Sequence, residues 1–232
     1  MASESSITGS DEDLGGLLDD VEATFQYTSL DDLTTSLYTF SNDAIERDPN
    51  NSYDHTVLVT AFPFQLETFL DSERPIMKSF RMLYFISSQA LVLTMPGTPH
   101  EVAAAAFEYN LLLKIERMNC LDEIRDTRSA TTTIGDVRKQ PDGAWGPRRV
   151  LYLTGALEVE VSESRRALHR DARLWLEKQG SHVTQVVTIK IFCGRPEIIF
   201  EVWTAGPDPA HHHQPTASLQ QEVNVIVGII AS

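Results

Sequence analysis

The chain has 232 residues, 42% of them hydrophobic, and a formal net charge of −14. That length exceeds one small domain and fits one domain with appendages, and the apolar share is enough for a packed core. The charge excludes a uniformly basic surface, but it is unevenly spread. Residues 1–54 hold 13 Asp and Glu against one basic residue, Arg47. Asp136–Arg195 holds 11 Lys and Arg against 7 Asp and Glu. The acidity thus belongs to an N-terminal segment, and the second half of the body is mildly basic. Cys120 and Cys193 fit no zinc-knuckle spacing and read as two lone thiols. The start, "MASESSITGSDEDLGG", lacks the basic and apolar runs of a signal peptide. No apolar stretch reaches the ~20 residues of a membrane helix. The chain reads as soluble and intracellular, cytoplasmic or nuclear, with no membrane partner.

Residues 1 to 20 are polar and acidic and read as disordered. Val21, Phe25, Leu30, Leu33, Leu37 and Phe40 then recur among acids, as one or two short helices docked on the body. "TVLVTAFPF" (Thr56–Phe64) reads as a strand or a buried segment, and Arg81–Met95 as a hairpin about Ser87-Ser88-Gln89. Thr98, Pro99 and Glu101 form a capping-box pattern ahead of an Ala-rich run, which predicts a helix from Pro99 to Met118. Strands are expected at Ser129–Ile134, Asp142–Trp145 and Leu157–Ser162. An amphipathic helix follows over Glu163–Lys178, with Leu168, Leu174 and Trp175 on its apolar face and Arg165, Arg166, Arg170 and Arg173 on its wet face. Gly180 ends it. "HVTQVVTIKIF" and "EIIFEVW" add two strands, a loop carries His211–His213, and the last residues add a short strand. The order predicts an α/β or α+β domain with one central sheet flanked by helices.

Two carboxylates, Glu158 and Glu160, share one face of the Leu157–Ser162 strand. They suit either a solvated acidic face or part of a cation site. A hard divalent ion takes one or two carboxylates plus water and phosphate oxygens. Asp142, in "KQPDGAW", supplies the second carboxylate if its short strand runs beside this one. Without a partner, the Pro-Asp pair is an ordinary turn.

"MPGTPHEVAAAAF", "KQPDGAW" and "LEVEVSES", followed by a helix and "VVTIKIF", resemble the PD-(D/E)XK nuclease superfamily. The likeness is to its Uma-type, restriction-endonuclease-like branch, which includes many uncharacterised fungal proteins, and it spans roughly residues 80–203. The resemblance implies a restriction-endonuclease-like core over residues 55–232, behind an acidic, partly disordered segment 1–54. It implies DNA as substrate and Mg²⁺ or Mn²⁺ as cofactor, with Asp142 and Glu158 as metal ligands. His100 and Glu101 match polar residues at the start of the family's first core helix. Glu101 is read either as completing the metal shell or as half of the capping box. The family's lysine, two positions after the acidic residue, is replaced here by Glu160. Lys190 on "VTIKI" is the candidate substitute or else a solvated strand residue, and Arg165 and Arg166 are further candidates.

Two functions follow from this reading. One is Mg²⁺-dependent hydrolysis of DNA. The other is a catalytically inactive member of the fold that binds protein or nucleic acid, its acidic segment serving as a docking tail or as a mimic of DNA. The weaker signals add nothing to either. The His211–His213 run reads as solvated loop. Ser162 and Ser164 have no histidine at a suggestive position, and no glycine-rich phosphate loop is present.

Overall fold

Runs with a 3.6-residue period become helices and most alternating runs become strands, in a computed structural model that describes residues 20–63, 75–127, 130–161, 165–207 and 215–226. In chain order the first elements are β1 (Ala23–Gln26), α1 (Leu30–Arg47), β2 (His55–Thr60), β3 (Arg81–Phe85), β4 (Ala90–Met95) and α2 (Thr98–Arg117). A 3-10 turn, Pro75–Ser79, leads into β3. Four short strands follow: β5 (Ile124–Asp126), β6 (Thr132–Ile134), β7 (Val137–Lys139) and β8 (Gly143–Pro147). Then come β9 (Gly155–Glu160), α3 (Arg166–Glu177), β10 (Gln185–Phe192), β11 (Glu197–Pro207) and β12 (Pro215–Ile226). Ser162, Ser164, Phe64, Ser129 and the His211–His213 run lie outside the described residues.

The protein is α+β, with two mixed six-stranded sheets where the sequence led us to expect one. The first has the order β1-β2-β4-β3-β7-β6 and the second β12-β11-β10-β9-β8-β5. The division falls inside "KQPDGAW". Gln140 N–H donates to the Met82 carbonyl of the first sheet at 2.9 Å, and Asp142 N–H donates to Leu157 of the second at 3.1 Å. Pro141, between them, has no N–H that needs a ladder partner, so the chain changes sheets there without leaving an unsatisfied donor. β1 and α1 come from the stretch set apart in the sequence as the acidic segment. β1 pairs with β2 in parallel, and Leu33, Leu37, Phe40 and Ala44 of α1 are buried. Ser29 caps α1 by accepting from Asp32 N–H at 3.1 Å.

The packing order is α1, first sheet, α3, second sheet, α2. Alternation along β2, β3 and β4 sends Val57, Val59, Met82, Tyr84, Leu91 and Leu93 toward α1. It sends Leu58, Leu83, Phe85 and Val92 toward Leu174 of α3. On the other side of α3, Ala172, Trp175 and Leu176 pack on Ala156, Val186 and Trp203 of the second sheet. The reverse face of that sheet, Leu157, Val159, Val187 and Ile189, meets Ala104 and Phe107 of α2. α3 is therefore a filling between two sheets. Gly180 (φ +87°) turns the chain away after it.

Thr98 and Glu101 do not form the expected capping box. α2 is capped at Gly97 with no side-chain bond, and Glu101 turns to Arg81 instead. Gly97 N–H is held by Asp54 Oδ1 at 2.7 Å, and a Cβ there would come within 2.7 Å of the Tyr53 carbonyl oxygen. Both thiols are free, as expected. Among the described residues, no helix is long and apolar enough to cross a membrane.

Gly155, where β9 pairs with Trp145 of β8, has no room for a side chain, because a Cβ would run into the Trp145 indole. Gly155→Ala is expected to cost about 1–3 kcal/mol by overpacking. Urea denaturation checks this, with Gly155→Ala/Trp145→Ala recovering part of the loss.

Candidate active site

Asp142 stands one residue before Gly143, which pairs with Leu157, so its side chain lies across from Glu158. The two carboxylates that sequence spacing paired are brought together on adjacent antiparallel strands. Both are buried. They wall a cavity of about 160 Å³ between the two sheets, to which Asp20, Asp54, Arg81, His100, Lys139, Glu160, Arg170 and Asp171 also contribute.

Asp142 is held on both oxygens. Oδ2 accepts from Val159 N–H at 2.7 Å. Oδ1 lies 2.9 Å from His100 Nε2 and 3.4 Å from Arg81 Nε. The other nitrogen of His100 meets Asp54 Oδ2 at 3.0 Å. Asp54 also accepts from Val161 N–H at 3.0 Å, which ties the end of β9 to the start of α2. Burial works against a charged His100 ring, but the two carboxylates outweigh it and hold the pKa well above the usual histidine value. The ring lies between two aspartates, an arrangement that favours its imidazolium form. Burial likewise opposes ionisation of Asp142, and His100, Val159 N–H and Arg81 overcome it to keep its pKa low.

Glu158 has different surroundings. The Trp175 indole N–H donates to Oε1, and Lys139 Nζ lies 3.2 Å from Oε2. Burial pushes its carboxyl up to about 8, with Asp171 and Asp142 adding to the shift and Lys139 and Trp175 opposing it. Lys139 is itself buried and donates to Asp171 Oδ2 at 2.8 Å. Burial disfavours its ammonium, but Asp171 and Glu158 more than compensate and raise its pKa. The other oxygen, Asp171 Oδ1, is buried without a hydrogen bond, and Arg170 Nε is 3.7 Å away.

The remaining candidates fall in several places. Glu101 pairs with Arg81 at 2.8 Å, and Arg81 stands between it and Asp142. Glu160 and Lys190 are register partners on β9 and β10. Lys190 is not a solvated strand residue: it is 2% exposed. Burial lowers its pKa, against the pull of Glu160, Asp54 and Asp20, so its electrostatic neighbours are these acids rather than Glu158. Arg165 binds Glu201 and, at 2.8 Å, Glu222, while Arg166 is exposed. Glu201 is a buried carboxylate that sequence reasoning overlooked. Its burial is offset by Arg165, Thr188 and His169, which lower its pKa.

Lys139, Asp171, Asp54 and Trp175 were also missed as site residues. One signal was present. Asp171 lies three residues after Leu168 and four before Trp175, a charge inside the apolar stripe of its helix. Lys139 sat unused inside the quoted "KQPDGAW".

Carboxylates are the donor type a hard divalent cation takes, and Asp142, Glu158 and Asp171 line the cavity, Asp171 Oδ1 accepting no hydrogen bond and lying 3.7 Å from Arg170 Nε. Each oxygen of Asp142 and Glu158 is nonetheless engaged by a donor of the chain. Among the described residues, no three metal-ligating side chains converge in a metal-holding geometry.

No protein-family model matches the chain, and no curated protein matches it. Among solved structures it is similar to a protein belonging to DUF820 from Anabaena variabilis ATCC 29413, named as a candidate nuclease. The identity is 13%, over 64% of this chain and 90% of that one, with a TM-score of 0.41.

Proposed function

We propose that the protein is a metal-dependent phosphodiesterase that hydrolyses DNA by the PD-(D/E)XK scheme. The observation that carries this reading is the facing of Asp142 and Glu158 across β8 and β9 at the wall of a cavity, with the Lys139 ammonium 3.2 Å from Glu158. Asp142 and Glu158 would hold Mg²⁺ or Mn²⁺, which when bound supplies a water of lowered pKa and stabilises charge on the scissile phosphate. Val159 N–H and His100 fix the orientation of Asp142. Lys139 brings positive charge to Glu158, the service that Glu160 cannot give and for which Lys190 was one candidate. Arg81, beside Glu101 and Asp142, and Arg170, beside Asp171, are guanidinium groups at the cavity wall that an entering phosphate would meet.

A second reading rests on the occupied oxygens of Asp142 and Glu158, which suit an inactive member of the fold that binds nucleic acid or protein. Incubation of the purified chain with Mg²⁺ or Mn²⁺ and supercoiled plasmid or single-stranded DNA separates the two. The nuclease reading expects nicking that chelation abolishes. Retarded migration of DNA without nicking supports the second.

A further inference from the structure

The edges of the two sheets are unlike one another. Among the described residues, β1 and β6 close the first sheet with four and three residues, and β5 closes one side of the second with three. Short edges offer few backbone groups to another chain, which protects a sheet from stray pairing. β12, the fourth edge, runs for 12 residues and, among the described residues, pairs with β11 alone. Its first half is partly shielded. Ala217 N–H is taken by Glu177 of α3 at 2.8 Å, and the ladder is broken by a bulge opposite Val202 and Trp203. From Gln221 to Ile226 the pairing with β11 is unbroken, and every second residue turns its N–H and C=O away from β11. This half carries no Lys, Arg or Pro, and its single charge, Glu222, is held by Arg165 at 2.8 Å. Val223, Val225 and Ile226 are 41%, 41% and 77% exposed. Val223 and Val225 stand opposite Phe200 and Ile198, so they carry out to the edge the apolar sheet face on which α2 packs.

We propose that the Gln221–Ile226 half of β12 is a pairing surface for a second copy of this chain, the two β12 strands running antiparallel and joining the second sheets of both copies into one. A two-fold axis perpendicular to the sheet builds this contact from one self-complementary patch and keeps like faces of the two sheets level. The residues choose the register. Centred on Glu222, the pairing sets two like charges opposite each other. Centred on Asn224, it sets Val223 against Val225 on both sides of the axis and Glu222 against Ile226. Paired β-branched side chains are favourable cross-strand contacts, and no like charges meet. With no basic residue between Gln221 and Ile226, this edge has nothing to draw a nucleic acid. The inference is independent of the metal assignment, because β12 supplies no residue to the cavity of Asp142 and Glu158.

Light scattering on the full chain, over a concentration series, is expected to approach twice the mass of one chain. Val223→Lys/Val225→Lys sets lysines opposite lysines, and Val223→Glu/Val225→Glu sets glutamates opposite glutamates. Each variant alone is expected to give the mass of one chain. Mixed, the two are expected to return to the mass of two, because opposite charges then face each other across the axis. Val102→Lys, on the exposed side of α2, is expected to leave the dimer intact. Hydrogen exchange on the parent needs no variant: the amides of Gln221–Ile226 are expected to exchange more slowly at high concentration and to quicken on dilution. A parent with the mass of one chain at every concentration overturns the proposal, whether its edge is bare or covered by another segment of the same chain. A dimer that survives both double variants overturns it, as does a mixture of folded variants that stays monomeric. If circular dichroism shows that either variant fails to fold, the exchange measurement decides, and exchange that does not depend on concentration overturns the proposal.

Discussion

Asp142→Asn is expected to lower metal-dependent nicking of plasmid DNA by about 10²–10³-fold, the rate equivalent of losing several kcal/mol of charge stabilisation by a bound metal. Asparagine keeps the shape of the side chain and an oxygen for Val159 N–H. What it removes is the negative charge that His100 and Arg81 now face. His100 retains Asp54 on its other nitrogen, so the hinge between α2 and the end of β9 survives. Unchanged circular dichroism alongside the lost nicking would place the effect in the site and not in the fold. Nicking at the parental rate would remove Asp142 from the chemistry.

Glu158→Gln is expected to act in opposite directions on activity and stability. In the unfolded chain this carboxyl ionises near its ordinary value of 4.5, and in the folded chain burial pushes it up to about 8. Between those values the folded chain keeps a proton that the unfolded chain has released. The folded-state pKa is the higher of the two, so the contribution to stability is fully present below 4.5 and is lost as pH rises through about 8. The loss is at most about 1.4 kcal/mol per pH unit. Glutamine does not titrate, so the variant gains stability relative to the parent from about pH 5 to about pH 8 and then levels off. Part of the gain is offset because Lys139 is left with Asp171 as its one direct carboxylate contact. Urea midpoints across that range check the slope, and a pH-independent difference would show that the carboxyl is ionised throughout.

The sequence carried the elements well where the period was long. α2 and α3 lie within a few residues of their expected spans, and so do β2 to β4, β9 and β10. The short strands β1, β5 and β7 were illegible, since three or four residues give no period to read. The second sheet was missed for the same reason: a three-residue strand and one proline divide the architecture. The pairing of Asp142 with Glu158 was legible because a hairpin of fixed register brings residues sixteen apart to face each other. Lys139 was not, because its partners come from another sheet and a helix, and no spacing along the chain records that approach. Lys190 was misjudged because a strand's alternation says which face a residue takes and nothing about what covers that face.

The most direct test of the account is the nicking of supercoiled plasmid by parent and Glu158→Gln at about pH 8 with Mn²⁺, where the variant is expected to be the more stable protein. The account predicts that the parent nicks and the stabler variant does not. A variant that nicks at the parental rate, or a parent that nicks equally well under chelation, would contradict it.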